Sequence, residues 1–152
     1  MKRIRNSIEK IIEWVLISLL GIMVINVLWQ VFSRFFTSNP SSFTDELARY
    51  LMIWLGIFGA AYVAGKNEHV AIDFFVKKFS ASKRKLMASF ASISISSFAF
   101  FGLLIGGSRL VYITAQLEQF SPSLQIPLAV VYAVIPISGV LIIFFKLTHN
   151  KE

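Results

Sequence analysis

Four long runs of the chain contain no Asp, Glu, Lys or Arg: Trp14–Ser33, Tyr50–Gly65, Leu86–Ser108 and Ile126–Phe145. An α-helix crosses the hydrocarbon core of a bilayer with about 20 apolar residues. The first, third and fourth runs reach that length unaided. The second reaches it only by drawing in Asp45–Arg49, which sets Glu46 and Arg49 at the membrane boundary. The pattern predicts an all-α integral membrane protein, a single membrane domain over residues 1–152 with spans at about 14–36, 45–65, 86–110 and 126–146.

Polar positions within and between the runs add detail. In the first thirteen residues Ile4, Ile8, Ile11 and Ile12 recur at helical spacing among Lys and Arg. That spacing suits either a basic amphipathic helix on anionic headgroups or an extension of the first span into water. Inside the first span Asn26, Gln30 and Arg34 fall on one face. Lipid offers them no hydrogen bond, so the face is expected to meet protein, as interhelical bonding or as a substrate pathway. Asn39-Pro40-Ser41-Ser42 signals a turn, with Ser42 and Asp45 spaced for a capping box on the second span. Arg49 follows Asp45 by four residues and Glu46 by three, so either carboxylate can pair with it. With Arg34 these groups form an expected ion-pair cluster at one boundary, fixing the hairpin or meeting another subunit.

Small residues mark the expected helix contacts. Gly56, Ala60 and Ala64, with Gly59 beside them, make a close-packing face on the second span, and Ser92, Ser96, Ala99, Gly102 and Gly106 make a matching stripe on the third. Between these spans, Ile72, Phe75, Val76 and Phe79 oppose His69, Asp73 and Lys77, which predicts an amphipathic segment in the membrane interface. His69 and Asp73 can form a hydrogen-bonded pair orienting that loop, a proton relay or half a metal site. The fourth span opens at Pro127, and Pro136 inside it predicts a kink.

Composition and charge narrow the function. The chain is 56% hydrophobic and 15% charged, more apolar than a soluble domain can cover. It has no cysteine, which excludes disulfide and thiolate chemistry, and its two histidines are too few for a typical zinc site without carboxylates. The net charge of +7 suggests nucleic acid only until its distribution is read. Lysines and arginines gather before span one, between spans two and three, and after span four, whereas Arg34, Arg49 and Arg109 alone fall on the other side. The positive-inside rule then places both termini and the middle loop in the cytoplasm (N-in, C-in), with no nucleic-acid partner. The first apolar run is longer than that of a signal peptide and lacks a small-residue cleavage site, so it is read as a retained helix. No nucleophile–base pair, phosphate loop or HExxH motif occurs, and the spans hold few polar groups near mid-depth, where secondary transporters bind substrate. These features point away from an enzyme and toward an accessory or scaffolding membrane subunit.

Three blocks carry a family resemblance: Trp29-Gln30-Val31-Phe32-Ser33-Arg34-Phe35; Ser42-Phe43-Thr44-Asp45-Glu46-Leu47-Ala48-Arg49-Tyr50 continuing through Trp54, Gly59, Ala60, Gly65, His69, Val70 and Asp73; and Ser121-Pro122-Ser123-Leu124-Gln125-Ile126-Pro127 with Tyr132, Ile135, Pro136 and Gly139. In this order the chain resembles the small membrane subunit of tripartite ATP-independent periplasmic (TRAP) transporters, the DctQ/SiaQ type. The resemblance implies four spans in the bacterial inner membrane and no cofactor in this chain. It implies a large elevator-type partner subunit that holds sodium and substrate, and a periplasmic binding protein that delivers an organic acid such as sialic acid or a C4-dicarboxylate. It further implies a static brace for this chain, with Glu46 and Arg49, then Asp45, Arg34, Gln30, Trp29 and Asn26, as structural or subunit-interface residues. Two rival readings are a stand-alone small transporter or channel, and a membrane anchor of an enzyme complex. The anchor needs axial ligands inside the spans, where His69 and His149 do not lie.

Overall fold

The computed structural model of the protein describes residues 2–36, 41–66 and 81–149. The predicted interfacial segment with His69 and Asp73, and the Asn39-Pro40 turn, lie outside the described residues. Four helices are long and apolar enough to span a membrane: Arg3–Phe36, Ser42–Lys66, Ser89–Gln116 and Leu128–Thr148.

Helix α1 (Lys2–Phe36) runs unbroken from the basic N-terminal segment through the first apolar run. Residues 2–13 are therefore a continuation of the span, not a separate surface helix. The Arg5 guanidinium explains the continuity at this end: it donates to the Glu9 carboxylate at 2.8 Å and to the Gly65 carbonyl of the second helix at 2.8 Å. Helix α2 (Ser42–Lys66) starts three residues before the expected boundary. Ser41, not Ser42, stands at its entry, its carbonyl accepting from the Thr44 hydroxyl at 2.9 Å and the Asp45 amide at 3.4 Å. The expected Ser42–Asp45 capping box gives way to this arrangement because the Asp45 carboxylate is engaged by side chains instead.

The third span is helix α3 (Ala81–Ser97), a π-helix (Phe98–Gly106) and helix α4 (Gly107–Gln116) in continuous succession. The fourth is α5 (Leu128–Tyr132) and α6 (Val134–His149), interrupted at Ala133. Pro136 accounts for the interruption where a kink is expected: it has no N–H for the Tyr132 carbonyl, and its ring crowds that turn. The Val131 carbonyl within the broken turn accepts the Trp54 indole N–H from α2 at 2.9 Å.

The spans form an open row. α1 packs on α2, α2 on α6, and α6 on the π-helix, with no comparable packing of α1 against the third or fourth span. The fourth span thus sits between the second and third. The core is a small cluster of Ala61, Ala64, Ala99 and Ile142, bordered by Ile95, Leu103, Leu141 and Ile143, and Phe145 lies directly on Gly65. Most large apolar side chains of α1 and the third span are exposed, as expected where lipid or another protein covers them.

The predicted small-residue faces meet only in part. Gly56 and Ala60 point away from the other spans, and a methyl added at Gly56 or Gly59 touches nothing. Gly102 and Gly106 are likewise exposed, while Gly107 is buried against Ile135 and Pro136. The π-helix is the reason. Closing each turn on i+5 lowers the rotation per residue, so Ala99, Leu103 and Gly107 stay in line against α6 and Gly102 and Gly106 rotate outward. Gly139 seats on this segment: a Cβ there would stand 3.0 Å from the Leu104 nitrogen and 3.1 Å from the Ala99 carbonyl oxygen.

Two substitutions check this packing by thermal unfolding of the purified protein. Gly139→Leu drives bulk into backbone and is expected to destabilise by about 1–3 kcal/mol. Ser138 is fully buried and its hydroxyl has no hydrogen-bond partner among the described residues, so Ser138→Ala is expected to leave stability unchanged or raise it.

Candidate functional site

The polar residues singled out in the first two spans converge where α1 runs beside the start of α2. Their helices explain the meeting: Asn26, Gln30 and Arg34 share one stripe of α1, and antiparallel packing brings that stripe to the first turns of α2. Asn26 is 7% exposed, and its amide donates to the Thr44 carbonyl at 2.8 Å. That carbonyl lies inside a helix and uses its second lone pair for the bond. The Gln30 amide donates to Asp45 at 3.3 Å. These bonds tie α1 to α2 with no water needed.

The expected four-charge cluster is not what forms. Arg49 pairs with Asp45 at 3.0 Å, with 70% and 59% of their side chains exposed. Glu46 takes no arginine among the described residues. One of its carboxylate oxygens accepts the Tyr50 hydroxyl at 2.7 Å, and the other accepts the backbone N–H groups of Ser123 at 2.8 Å and Leu124 at 3.2 Å. Helix geometry separates the two acids. Asp45 stands one turn before Arg49, whereas Glu46 is rotated by a residue toward the connection between the third and fourth spans. Arg34 is exposed and forms no ion pair among the described residues. It lines a cleft of about 520 Å³ with Gln30, Val31, Ser41, Ser42 and Asp45.

The connection that Glu46 holds is a folded turn. Ser121 donates its amide to the Ile126 carbonyl at 2.9 Å, Leu128 donates to Gln119 at 2.9 Å, and Gln125 donates back to Ser121 at 3.1 Å. The Ser121 hydroxyl accepts the Leu124 amide at 3.2 Å. Glu118 and Gln125 adopt positive φ, 47° and 54°, a costly conformation for side-chain-bearing residues. The carboxylate of Glu46 satisfies two amide donors that this tight course turns toward α2.

Trp29 lies on the far side of α1 from Arg34. Its ring stacks on Phe32 with centroids 6.0 Å apart, and Phe32 stacks on Phe36 at 4.3 Å. With Ile22, Ile25, Phe43 and Leu47 it also borders a shallow apolar groove of about 430 Å³. Tyr50 and the Ser123–Leu124 amides are not among the site residues expected from sequence. Tyr50 was legible as the residue one helical turn after Glu46, but no sequence signal pairs Glu46 with a turn 77 residues away. No group of three or more His, Asp or Glu side chains that could hold a metal occurs among the described residues. The arrangement joins helices; its carboxylates are engaged by internal donors.

Residues 6–150 match the family described as tripartite ATP-independent periplasmic transporters, DctQ component. The chain is 26% identical over 149 residues to the sialic acid TRAP transporter small permease protein SiaQ of Vibrio cholerae, covering 97% of this chain and 83% of that protein. It is 31% identical over 102 residues to the C4-dicarboxylate TRAP transporter small permease protein DctQ of Rhodobacter capsulatus, covering 66% of this chain and 44% of that one. A stretch of 92 residues is 29% identical to the sialic acid TRAP transporter permease protein SiaT of Haemophilus influenzae, 58% of this chain but 14% of that longer protein.

The two acidic residues are expected to separate experimentally. Glu46→Ala leaves the Ser123 amide without its acceptor and the Leu124 amide with the Ser121 hydroxyl alone, so hydrogen exchange should rise about tenfold or more at Ser123 and less at Leu124, with Glu46→Gln intermediate. Asp45→Ala removes an exposed pair worth at most about 0.5 kcal/mol in water and should leave exchange in the turn unchanged.

Proposed function

This chain belongs to the DctQ component family of tripartite ATP-independent periplasmic transporters, and we propose that it is the static small permease subunit beside a large membrane subunit. In this reading the large subunit holds sodium and the substrate and moves as an elevator, a periplasmic binding protein delivers the substrate, and both lie outside this chain. The observation that carries the reading is the open row of spans. A carrier acting alone needs a central site enclosed by helices. Here Asn26, Gln30 and Glu46 are spent between neighbouring helices and turns, and the clefts beside α1 are peripheral.

A brace must hold its shape while its partner moves, and it must contact that partner's fixed part equally in both transport states. Glu46 and Trp54 serve the first requirement by fastening the fourth span and its turn to α2. The large exposed apolar area serves the second. The SiaT match supports physical association, because there a segment like this chain is part of a much longer permease polypeptide. The substrate class is an organic acid, in keeping with relatives named for sialic acid and for C4-dicarboxylates. The chain sits in the bacterial inner membrane with both termini and the lysine-bearing ends, at Lys66 and Lys146, in the cytoplasm.

Reconstitution tests the division of labour. Proteoliposomes with this chain alone should show no sodium-driven uptake of an organic acid, whereas liposomes with both membrane subunits and the binding protein should. Uptake by this chain alone overturns the brace. Cysteines introduced at Ser41 and Lys83 should label from the periplasm at the first position and not at the second.

A further inference from the structure

The two outer helices of the row carry opposite charges. Glu13 on α1 and Arg109 on α4 are both exposed, and neither makes an ion pair among the described residues. Lys10, three residues before Glu13, makes none with it either. Two helices stand between α1 and the third span. At the usual spacing of about 8–10 Å per neighbour, Glu13 and Arg109 of one chain cannot meet.

Contacts between the helices set the two charges at one level. Asn26 bonds to Thr44, and Arg5 bonds to Gly65. Glu13 is 13 residues from the first contact and 8 from the second, and Ile57 is equally far from both along α2, so the two are level. This register staggers the uncharged run Trp14–Ser33 of α1 toward the Glu46 end of α2. Trp54 bonds to Val131 and Gly65 packs on Phe145, which makes Ile57 level with residues 134–137 of the fourth span. Gly107 packs there, against Ile135 and Pro136. Glu13 and Gly107 are therefore level, and Arg109 lies about 3 Å further toward the Glu46 end. The match is internal to the protein and holds wherever the bilayer lies.

The level also falls inside the fourth span. Leu128–Thr148 is 21 residues long, and Ile135 and Pro136 lie about 10–12 Å from its Leu128 end. The third span runs on to Gln116, so Arg109, which charge distribution alone sets beyond the membrane, stands within a span. A helical side chain leans toward the N-terminus of its own helix. For Arg109 that is the far end of the span, so the guanidinium leans away from the nearer surface and its headgroups. An unpaired charge at that depth is costly, for the arginine and for the carboxylate level with it.

Both groups lie on free faces. Arg109 is about 200° around its helix from Gly107, on the side away from the fourth span, and Glu13 is about 100° around α1 from the buried Ile12. α1 is antiparallel to α2, α2 is parallel to the fourth span, and the fourth is antiparallel to the third. α1 and the third span therefore run in the same direction. One turn on from Glu13 stands Ile17, and one turn on from Arg109 stands Ile113, both exposed. Set side by side, the two helices bring Glu13 to Arg109 and Ile17 to Ile113 in one register.

We propose that copies of this chain associate edge to edge in the membrane, Glu13 of one copy pairing with Arg109 of the next. A different protein would have to supply a base for one edge and an acid for the other; a second copy carries both, at the matched level. The contact is heterologous, so it extends as a row or closes as a ring. It leaves the broad faces of the row of helices to other partners and does not depend on the small-subunit reading.

The test uses the full chain in a bacterial inner membrane, expressed under two different tags. Capture of one tag is expected to bring down the other. Glu13→Arg alone, or Arg109→Glu alone, sets like charges together in every contact and should lower that capture about tenfold. Glu13→Arg under one tag with Arg109→Glu under the other restores opposite charges at every mixed contact, so capture should return to near the wild-type level. This rescue separates a lost ion pair from a chain that fails to fold. With the charges intact, p-benzoylphenylalanine at Ile113 should give, on illumination, a product joining two copies of the chain. If the single variants self-associate like the wild type, if the mixed pair does not recover, or if position 113 joins only lipid or a different protein, the edge-to-edge contact is overturned and the small-subunit reading stands.

Discussion

The Glu46 carboxylate joins the two halves of this protein. The first two spans meet the last two where α2 packs on α6, through Gly65 against Phe145 and the alanines at 61 and 64. In lipid, apolar contact gives little preference for one helix neighbour over another, since the tails are as apolar as leucine. A carboxylate that accepts two backbone amides and a tyrosine hydroxyl is directional. Together with the Trp54 indole on the Val131 carbonyl, it fixes which helix the fourth span lies against and at what depth, and the open row follows from that choice.

The backbone irregularities serve the same row. Pro136 breaks the fourth span at Ala133, and the Trp54 indole takes up a carbonyl in the disturbed turn. The π-helix opposite keeps Ala99, Leu103 and Gly107 in line with α6, so that Gly107 meets Ile135 and Pro136 and Gly139 meets the backbone of the π turns. A span with a proline-distorted face needs a partner whose face is distorted to match. The Val131 carbonyl at this break is satisfied from within the protein, as a non-aqueous surrounding requires.

A row of helices suits a subunit whose work is done through its faces. Nearly every large side chain of α1 outside its seam with α2 is exposed, and the polar groups along that seam are engaged, apart from Arg34 at the rim of a cleft. Such a helix is held on one side and open on the other, where lipid or another protein covers it.

Much of this was legible in the chain itself. The four uncharged runs fix the number of spans because a bilayer leaves a long apolar helix few alternatives, and Pro136 fixes the break because a missing N–H cannot be supplied. Asn26 and Gln30 had to turn toward protein because lipid offers them no partner. Family membership was carried by side-chain types at set spacing. The tertiary structure alone decided the rest. Glu46 binds a turn far along the chain, and no local rule ranks that partner above Arg49. Gly107, not the Gly102–Gly106 pair, makes the close approach, because the π-helix rotates the face and its presence depends on what packs beside it. The stagger of α1 against α2 is also invisible in sequence, where each span is centred on its own apolar run. Only the contacts between helices set one run against another.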